Sequence, residues 1–437
     1  MRRRLVPTLA TVLATTALAG SAGCSAFGTD SAVAGGQVTT GPSQATPAVA
    51  SSSATTDPAV AVREAVTELV KNRTTAVANH DQKAWLATLR DPQSSFGAEQ
   101  AALFDRVSAL PLRFTTRSVQ VEPSSAADGT WVANVKLAYR FDGYDRGDRD
   151  FSLSYVVAQT PAGWRFSGTG PGTSDVQPFD LPDLNVAKSD KTLVLGDVPK
   201  ASLQAYLALA DTAHDRIQAV WGTALPAVVV APKSSDELIR QLGLQSTAGF
   251  DQVAAVTQGP LTSGSPALTD RVFLNPDVFT KLTGTGRGVV LTHELTHVTV
   301  RGTTSRSVPL WLAEGFADDV AFKPVGLPPR TVAADLLNNV RNGSAPTALP
   351  STDEFDPSKG SIAPAYNAAW LAIYRIRQTR GQDAVVAFYR AVSGDEKSGS
   401  STTSADDLAR QAFQDVLKTT QDAFVAEWSQ YIKRLAR

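Results

Sequence analysis

Apolar positions fall into three regimes along the chain. From about Pro58 to Leu110, Val62, Val66, Leu69 and Val70 recur at spacings of three and four, followed by Trp85, Leu86 and Leu89. That period predicts helices. The next segments alternate instead: Phe114–Val121, Trp131–Phe141, Phe151–Ala158 and Trp164–Phe166 read as strands broken by Asp-Gly and Pro-Ala-Gly turns. Prolines, glycines and aspartates cluster between Gly170 and Asp190 and mark a domain boundary. Beyond it the pattern restarts with a strand at Thr192–Leu195, a helix from Lys200 to Trp221, a buried strand at Ala227–Val230 and a helix at Asp236–Leu242. Short strands are expected near Val253–Thr257 and Arg271–Leu274, and nearly everything from Gly288 to Arg437 reads as helix.

The chain has 437 residues, enough for two domains and tails, with 43% hydrophobic and 19% charged side chains. Its 41 basic and 42 acidic residues leave a formal charge of -1, so composition gives no electrostatic case for nucleic acid. Residues 1–24 have the layout of an export signal: Arg2, Arg3 and Arg4, an apolar run from Leu5 to Ala19, then Cys24 after small residues. The apolar run is shorter than the roughly 20 residues that span a bilayer. Cys24 is the only cysteine, which excludes disulfides within the monomer and cysteine-ligated metal. Residues 25–57 are Ser, Thr, Ala, Gly and Pro with no apolar period, a composition suited to a tether.

The N-terminus resembles a bacterial lipoprotein signal, except that Ser21 stands where an aliphatic residue is usual. The resemblance implies lipidation of Cys24 and anchoring to the outer face of the membrane; cleavage after Ala17-Leu18-Ala19 would instead release a soluble secreted protein. The helices and strands of residues 58–175 resemble the NTF2-like fold, a helix-plus-curved-sheet cone that often encloses a pocket.

The candidate chemistry lies in the second region, residues 190–437. The run His293-Glu294-Leu295-Thr296-His297 is H-E-x-x-H. On a helix, residues four apart share a face, so His293 and His297 could grip one ion while Glu294 takes a proton from a water beside it. The flanking Val289–Val300 stretch is β-branched enough to read as a strand, which would put Glu294 on the face opposite the histidines. The following segment, Val308–Asp318, helps decide. There Glu314 and Asp318 share one face of an apolar helix, with Pro309 suited to its first turn and Ser307 to its cap. Two carboxylates on an apolar face are costly unless something positive compensates them. An exposed acidic face running on to Asp319 is the plainer reading of that pair taken alone.

Together, H-E-x-x-H and Trp311-Leu312-Ala313-Glu314-Gly315-Phe316-Ala317 resemble the gluzincin clan of zinc metallopeptidases, specifically bacterial peptidase MA-like members. The resemblance implies an α+β architecture in which a small mixed sheet precedes a mostly helical half. It implies one Zn2+ held by His293, His297 and Glu314, Glu294 as catalytic acid/base, and Asp318 accepting the far N–H of a ligand histidine. It also implies a peptide or protein substrate laid along an edge strand, here Arg271, Val272, Phe273 and Leu274, and a Tyr or His that donates to the oxyanion. No histidine follows His297, so Tyr366 is the candidate, with Tyr374 and Tyr389 as others. An aspartate third ligand, Asp318 or Asp319, would leave Glu314 without a role. His80 and His214 belong to no motif and read as surface or capping residues, and Gly284–Gly288 reads as a turn before the active-site helix. Two other functions stay open from sequence: a non-catalytic envelope lipoprotein that binds a partner or ligand through its N-terminal domain, and a zinc amidase acting on a non-peptide amide.

Overall fold

The computed structural model describes residues 57–125, 128–172, 174–246, 250–259 and 265–437. The export signal, Cys24 and all but the last residue of the tether lie outside them. Among the described residues the protein is a mixed α+β molecule with two separate sheets.

The first half begins with α1 (Pro58–Ala78), α2 (Gln82–Leu86) and α3 (Ser95–Ser108). Asp57, Asp81 and Ser94 cap their first turns by accepting backbone N–H groups. An antiparallel meander follows in the order β1 (Leu112–Pro123), β2 (Trp131–Phe141), β3 (Arg149–Thr160), β4 (Gly163–Thr169). Its inward face supplies Tyr139, Phe151, Tyr155 and Phe166 to a core shared with Val66, Val70 and Trp85 of the helices. Phe179 lies beyond the last strand, yet it packs edge-on against Tyr139 and Phe151 with centroids 5.2 and 6.0 Å away. The first core therefore extends into the segment that composition marks as a boundary.

The second sheet has the order β5-β6-β7-β9-β8, formed by β5 (Asn185–Lys188), β6 (Thr192–Gly196), β7 (Ala227–Ala231), β8 (Ala255–Gln258) and β9 (Arg271–Leu274). It begins at Asn185, five residues before the expected domain start, because β5 pairs antiparallel with β6 despite its polar sequence. Strands β6, β7 and β9 are parallel and buried throughout, as expected of strands covered on both faces. Between these strands lie α4 (Lys200–Trp221), α5 (Ser235–Leu242) and, after β9, α6 (Pro276–Phe279). The remainder is helical: α7 (Gly284–Thr303), α8 (Leu310–Phe322), α9 (Pro329–Val332), α10 (Ala334–Arg341), α11 (Ala363–Arg380), α12 (Gln382–Ser393), α13 (Ala405–Asp415) and α14 (Gln421–Ala436). No helix among the described residues is long and apolar enough to cross a membrane.

Several expectations need correction. Arg271–Leu274 is not an edge strand: β9 is paired on both sides, and β8 occupies the edge. Arg271 is wholly buried and faces the first half of the molecule, where its guanidinium makes a two-pronged ion pair with Asp145, with Nη2 2.6 Å from Oδ2. Gly284–Gly288 forms the first turns of α7 rather than a preceding turn, because Thr283 caps the Gly286 N–H at 3.1 Å. His214 is not a surface residue. It is wholly buried on α4 beside Thr192 Oγ1 at 3.0 Å, and burial depresses its pKa to about 4, so it is a neutral core imidazole at pH 7. Helix α8 starts at Leu310, with Pro309 rather than Ser307 at its cap.

The junction between the halves is polar and specific. The β2–β3 hairpin reaches across so that Arg146 N donates to Leu268 O at 3.0 Å, its guanidinium reaches Gly302 O at the end of α7, and Asp145 takes Arg271. Arg271 also lies over the Phe141 ring, 5.1 Å from its centroid.

Candidate metal centre

Helix α7 carries the H-E-x-x-H run through the middle of the second half, and every residue from Gly288 to Val300 is buried. Its β-branched content does not make it a strand, because the threonine hydroxyls are satisfied within the helix. Thr292 donates to Gly288 O and Thr296 to Thr292 O, both at 2.7 Å. His293 and His297 consequently project one turn apart from one face, with their Nε2 atoms 3.0 Å apart.

Helix α8 brings the carboxylates. Glu314 Oε2 lies 3.1 Å from His293 Nε2 and 3.4 Å from His297 Nε2, and Glu314 is 2% exposed. One turn on, Asp318 Oδ1 accepts from the opposite ring nitrogen, His293 Nδ1, at 2.8 Å. That bond places a proton on Nδ1 and turns Nε2 toward Glu314 and His297, where a cation would take its lone pair. Asp319 faces elsewhere, held by the Arg377 guanidinium at 2.8 to 3.1 Å. Its charge is already balanced, which removes it from contention as a ligand.

Gly315 explains how α8 comes so close to its other neighbour, α11. A Cβ there would stand 2.4 Å from Ala369 O and 2.7 Å from its carbonyl carbon, positions that backbone cannot vacate cheaply. Gly315→Ala should therefore push α8 away from α11, cost about 1–3 kcal/mol of stability and move the neighbouring Glu314. The check is a lowered melting temperature together with weakened metal retention during dialysis.

The electrostatics are those of a site that wants a cation. Burial alone would lower the His293 pKa, but the Asp318 and Glu314 carboxylates outweigh it and hold the imidazole well above its ordinary value. Burial alone would raise Glu314, yet the two histidines bring it down to about 2. These carboxylates require a positive charge beside them, which a bound divalent cation would supply. His293, His297 and Glu314 each offer one atom within 4.8 Å of the others, all buried. Two nitrogens and one oxygen converging this way suit a borderline divalent cation such as zinc, and three protein ligands leave a tetrahedral ion one open position. The residues fit the group.

Glu294 is 1% exposed and lies on the sheet side of α7. Thr257 Oγ1, from edge strand β8, donates to its Oε2 at 2.6 Å. Burial raises the Glu294 pKa against the lowering effect of the two histidines and of Thr257. Thr257 belongs to no motif in the sequence. The only hint was a predicted strand in the segment preceding Arg271, with nothing to show that one of its side chains turns toward Glu294.

Tyr366, on α11, has its ring 6.4 Å from the His293 ring and 5.1 Å from that of Phe355. Tyr389, on α12, packs against Trp221 and Phe316, and burial followed by the nearby Glu314 charge raises its pKa. Tyr374 packs against Trp370 with the rings tilted by 45° and centroids 5.2 Å apart.

Fold and site together define a mixed α+β protein with a buried three-residue candidate metal centre. No protein-family model matches the chain, and no curated protein matches it. Among solved structures, the native yeast LTA4 hydrolase is similar at 11% identity and a TM-score of 0.34, covering 74% of this chain and 60% of that one. The intermembrane space region of the chloroplast protein ARC6 is similar at 15% identity and a TM-score of 0.21, covering 25% of this chain and 93% of that one. Likenesses this weak carry no chemistry across, which has to come from the chain's own residues.

Proposed function

We propose that the protein is an exported zinc-dependent peptidase of the gluzincin type, in which residues 58–175 form an NTF2-like domain and the remainder the metallopeptidase unit. The observation that carries this reading is the convergence of His293, His297 and Glu314 with Asp318 behind one histidine and Glu294 beside them. Cys24 would tether the protein by a lipid to the outer face of the membrane, with residues 25–57 as spacer.

In this reading His293 Nε2, His297 Nε2 and a Glu314 carboxylate oxygen hold the ion, and Asp318 keeps His293 in the tautomer that presents Nε2. A bound zinc supplies Lewis acidity for the scissile carbonyl and for the attacking water, whose pKa falls to about 7 in such sites. Glu294 would take a proton from the attacking water and deliver it to the departing amine. Its carboxyl is aimed by Thr257, so the second oxygen stays available for the proton. Strand β8, the outermost strand of its sheet among the described residues, lies beside that carboxyl and is the strand proposed to pair with an extended peptide through backbone hydrogen bonds. This role passes to Ala255–Gln258 from Arg271–Leu274. Tyr366 is the proposed oxyanion donor, on the strength of its position by His293.

The test is incubation with a complex peptide mixture followed by mass spectrometry of the products. New termini that disappear with a chelator and return with added zinc are expected. A mixture left intact by the zinc-loaded protein, with hydrolysis of non-peptide amides instead, would move the reading to an amidase.

A further inference from the structure

The residues that would do the chemistry are closed off from solvent. His293, Glu294, Glu314 and Tyr366 are 0, 1, 2 and 3% exposed, and His297, at 9%, is the most open of the group. An extended peptide needs a wider opening than that. The chain between α10 and α11 is built to provide one.

Residues 351–361 form a strap of two short 3₁₀ turns, Thr352–Phe355 and Pro357–Lys359. Its side chains bond within the strap itself. Glu354 Oε2 accepts from Ser351 N and Oγ at 2.8 and 2.9 Å, Asp356 Oδ1 accepts from Ser358 N and Oγ at 2.9 and 2.7 Å, and Lys359 pairs with Asp353 at 2.9 Å. A unit bonded this way can move as one piece. Phe355 is its only buried residue, at 1% exposed, and the others are half-buried or exposed.

Phe355 packs edge-on against Tyr366, with ring centroids 5.1 Å apart, and the Tyr366 ring lies 6.4 Å from that of His293. At the other end of the strap, Gly360 O accepts from Gln252 Nε2 at 3.3 Å. Gln252 ends a turn just before β8 that is fixed to the sheet by Asn275, whose Nδ2 donates to Phe250 O and Val253 O, both at 2.7 Å. The strap therefore joins the Tyr366 side of the site to the start of the strand that holds Glu294 through Thr257. Gly360, at a φ of +139° with open space where a Cβ would stand, ends it shortly before α11.

We infer that residues 351–361 are a lid on the metal centre, latched by Phe355 on Tyr366 and by Gln252 on Gly360, which swings about Gly360 to admit substrate. The inference rests on the metal-centre reading above and adds the regulation of access to it. An aromatic contact and a solvent-accessible hydrogen bond tie the lid down, so opening leaves the surrounding helices and sheet intact.

The test is the rate at which dipicolinate, a small chelator that has to reach the ion, strips zinc from the whole zinc-loaded protein. Phe355→Ala removes the buried ring and should speed stripping about tenfold or more. Gln252→Ala removes only the hydrogen bond and should speed it about threefold. Phe355→Leu should fall between Phe355→Ala and the unaltered protein. Phe104→Ala, the same deletion in the core of the first half, should strip no faster than the unaltered protein. An unaltered rate in Phe355→Ala would overturn the lid while leaving the metal centre standing. Equal acceleration in Phe104→Ala would overturn it too, since release would then follow general loosening of the fold. Should Phe355→Ala fail to fold, Gln252→Ala and Phe355→Leu decide. An unaltered protein that binds no zinc would overturn the metal reading, and this inference with it.

Discussion

Replacing Glu294 with glutamine is expected to leave the metal in place and to cut peptide hydrolysis by about 10²–10⁴-fold, the usual worth of a positioned general base. Glutamine keeps the size of the side chain and can still accept the 2.6 Å hydrogen bond from Thr257, so the fold around α7 and β8 should be undisturbed. What it cannot do is take a proton. The His293, His297 and Glu314 atoms that converge on the ion do not include Glu294, which is why metal content and activity should separate in this variant. The measurement is initial cleavage rate at saturating zinc beside elemental analysis of the same sample. Loss of zinc along with activity would place Glu294 among the ligands instead; retention of full activity would remove it from the chemistry.

The second large effect lies far from the metal. Asp145→Ala should destabilise the protein by about 3–5 kcal/mol, because it leaves the Arg271 guanidinium buried without a counter-charge. Both side chains are nearly or wholly inaccessible, at 2% and 0% exposed, so water cannot take over the lost interaction. Asp145 also accepts the Phe141 N–H at 2.7 Å, which adds the loss of a hairpin bond. Denaturant unfolding should show the drop. The double replacement of Asp145 and Arg271 by apolar residues should recover much of it. A fall below 1 kcal/mol in the single variant would mean that the junction opens to water.

The sequence spelled out the elements better than their neighbours. Period and alternation placed β2, α4 and β9 at their observed ends, since β2 alternates, α4 is a long amphipathic run and β9 is a short apolar run closed by Asn275-Pro276. Strand β5 was missed because Asn185–Lys188 lies among prolines and aspartates and forms only by pairing with β6. Which strand lies at the edge was not legible. The chain visits β8 before β9, and only the parallel pairing of β9 with β7 shows that the later strand is inserted into the interior. Of the candidate site, the H-E-x-x-H spacing and Glu314 four residues before Asp318 are local facts that a helix converts directly into geometry. Thr257, Arg377 and Gly315's contact with Ala369 O are long-range, so nothing near them in sequence announced them. Arg271 misled for the same reason: an arginine opening a strand says nothing of the aspartate 126 residues earlier that receives it.

The most direct measurement of the central claim is the zinc content of the purified protein, compared with that of His297→Ala. One zinc per chain in the unaltered protein, lost in His297→Ala, is the predicted result, because removing one of three convergent ligands leaves only His293 and Glu314. No zinc in the unaltered protein after dialysis against the metal, or an equal amount in both proteins, would contradict the proposed centre and the peptidase reading built on it.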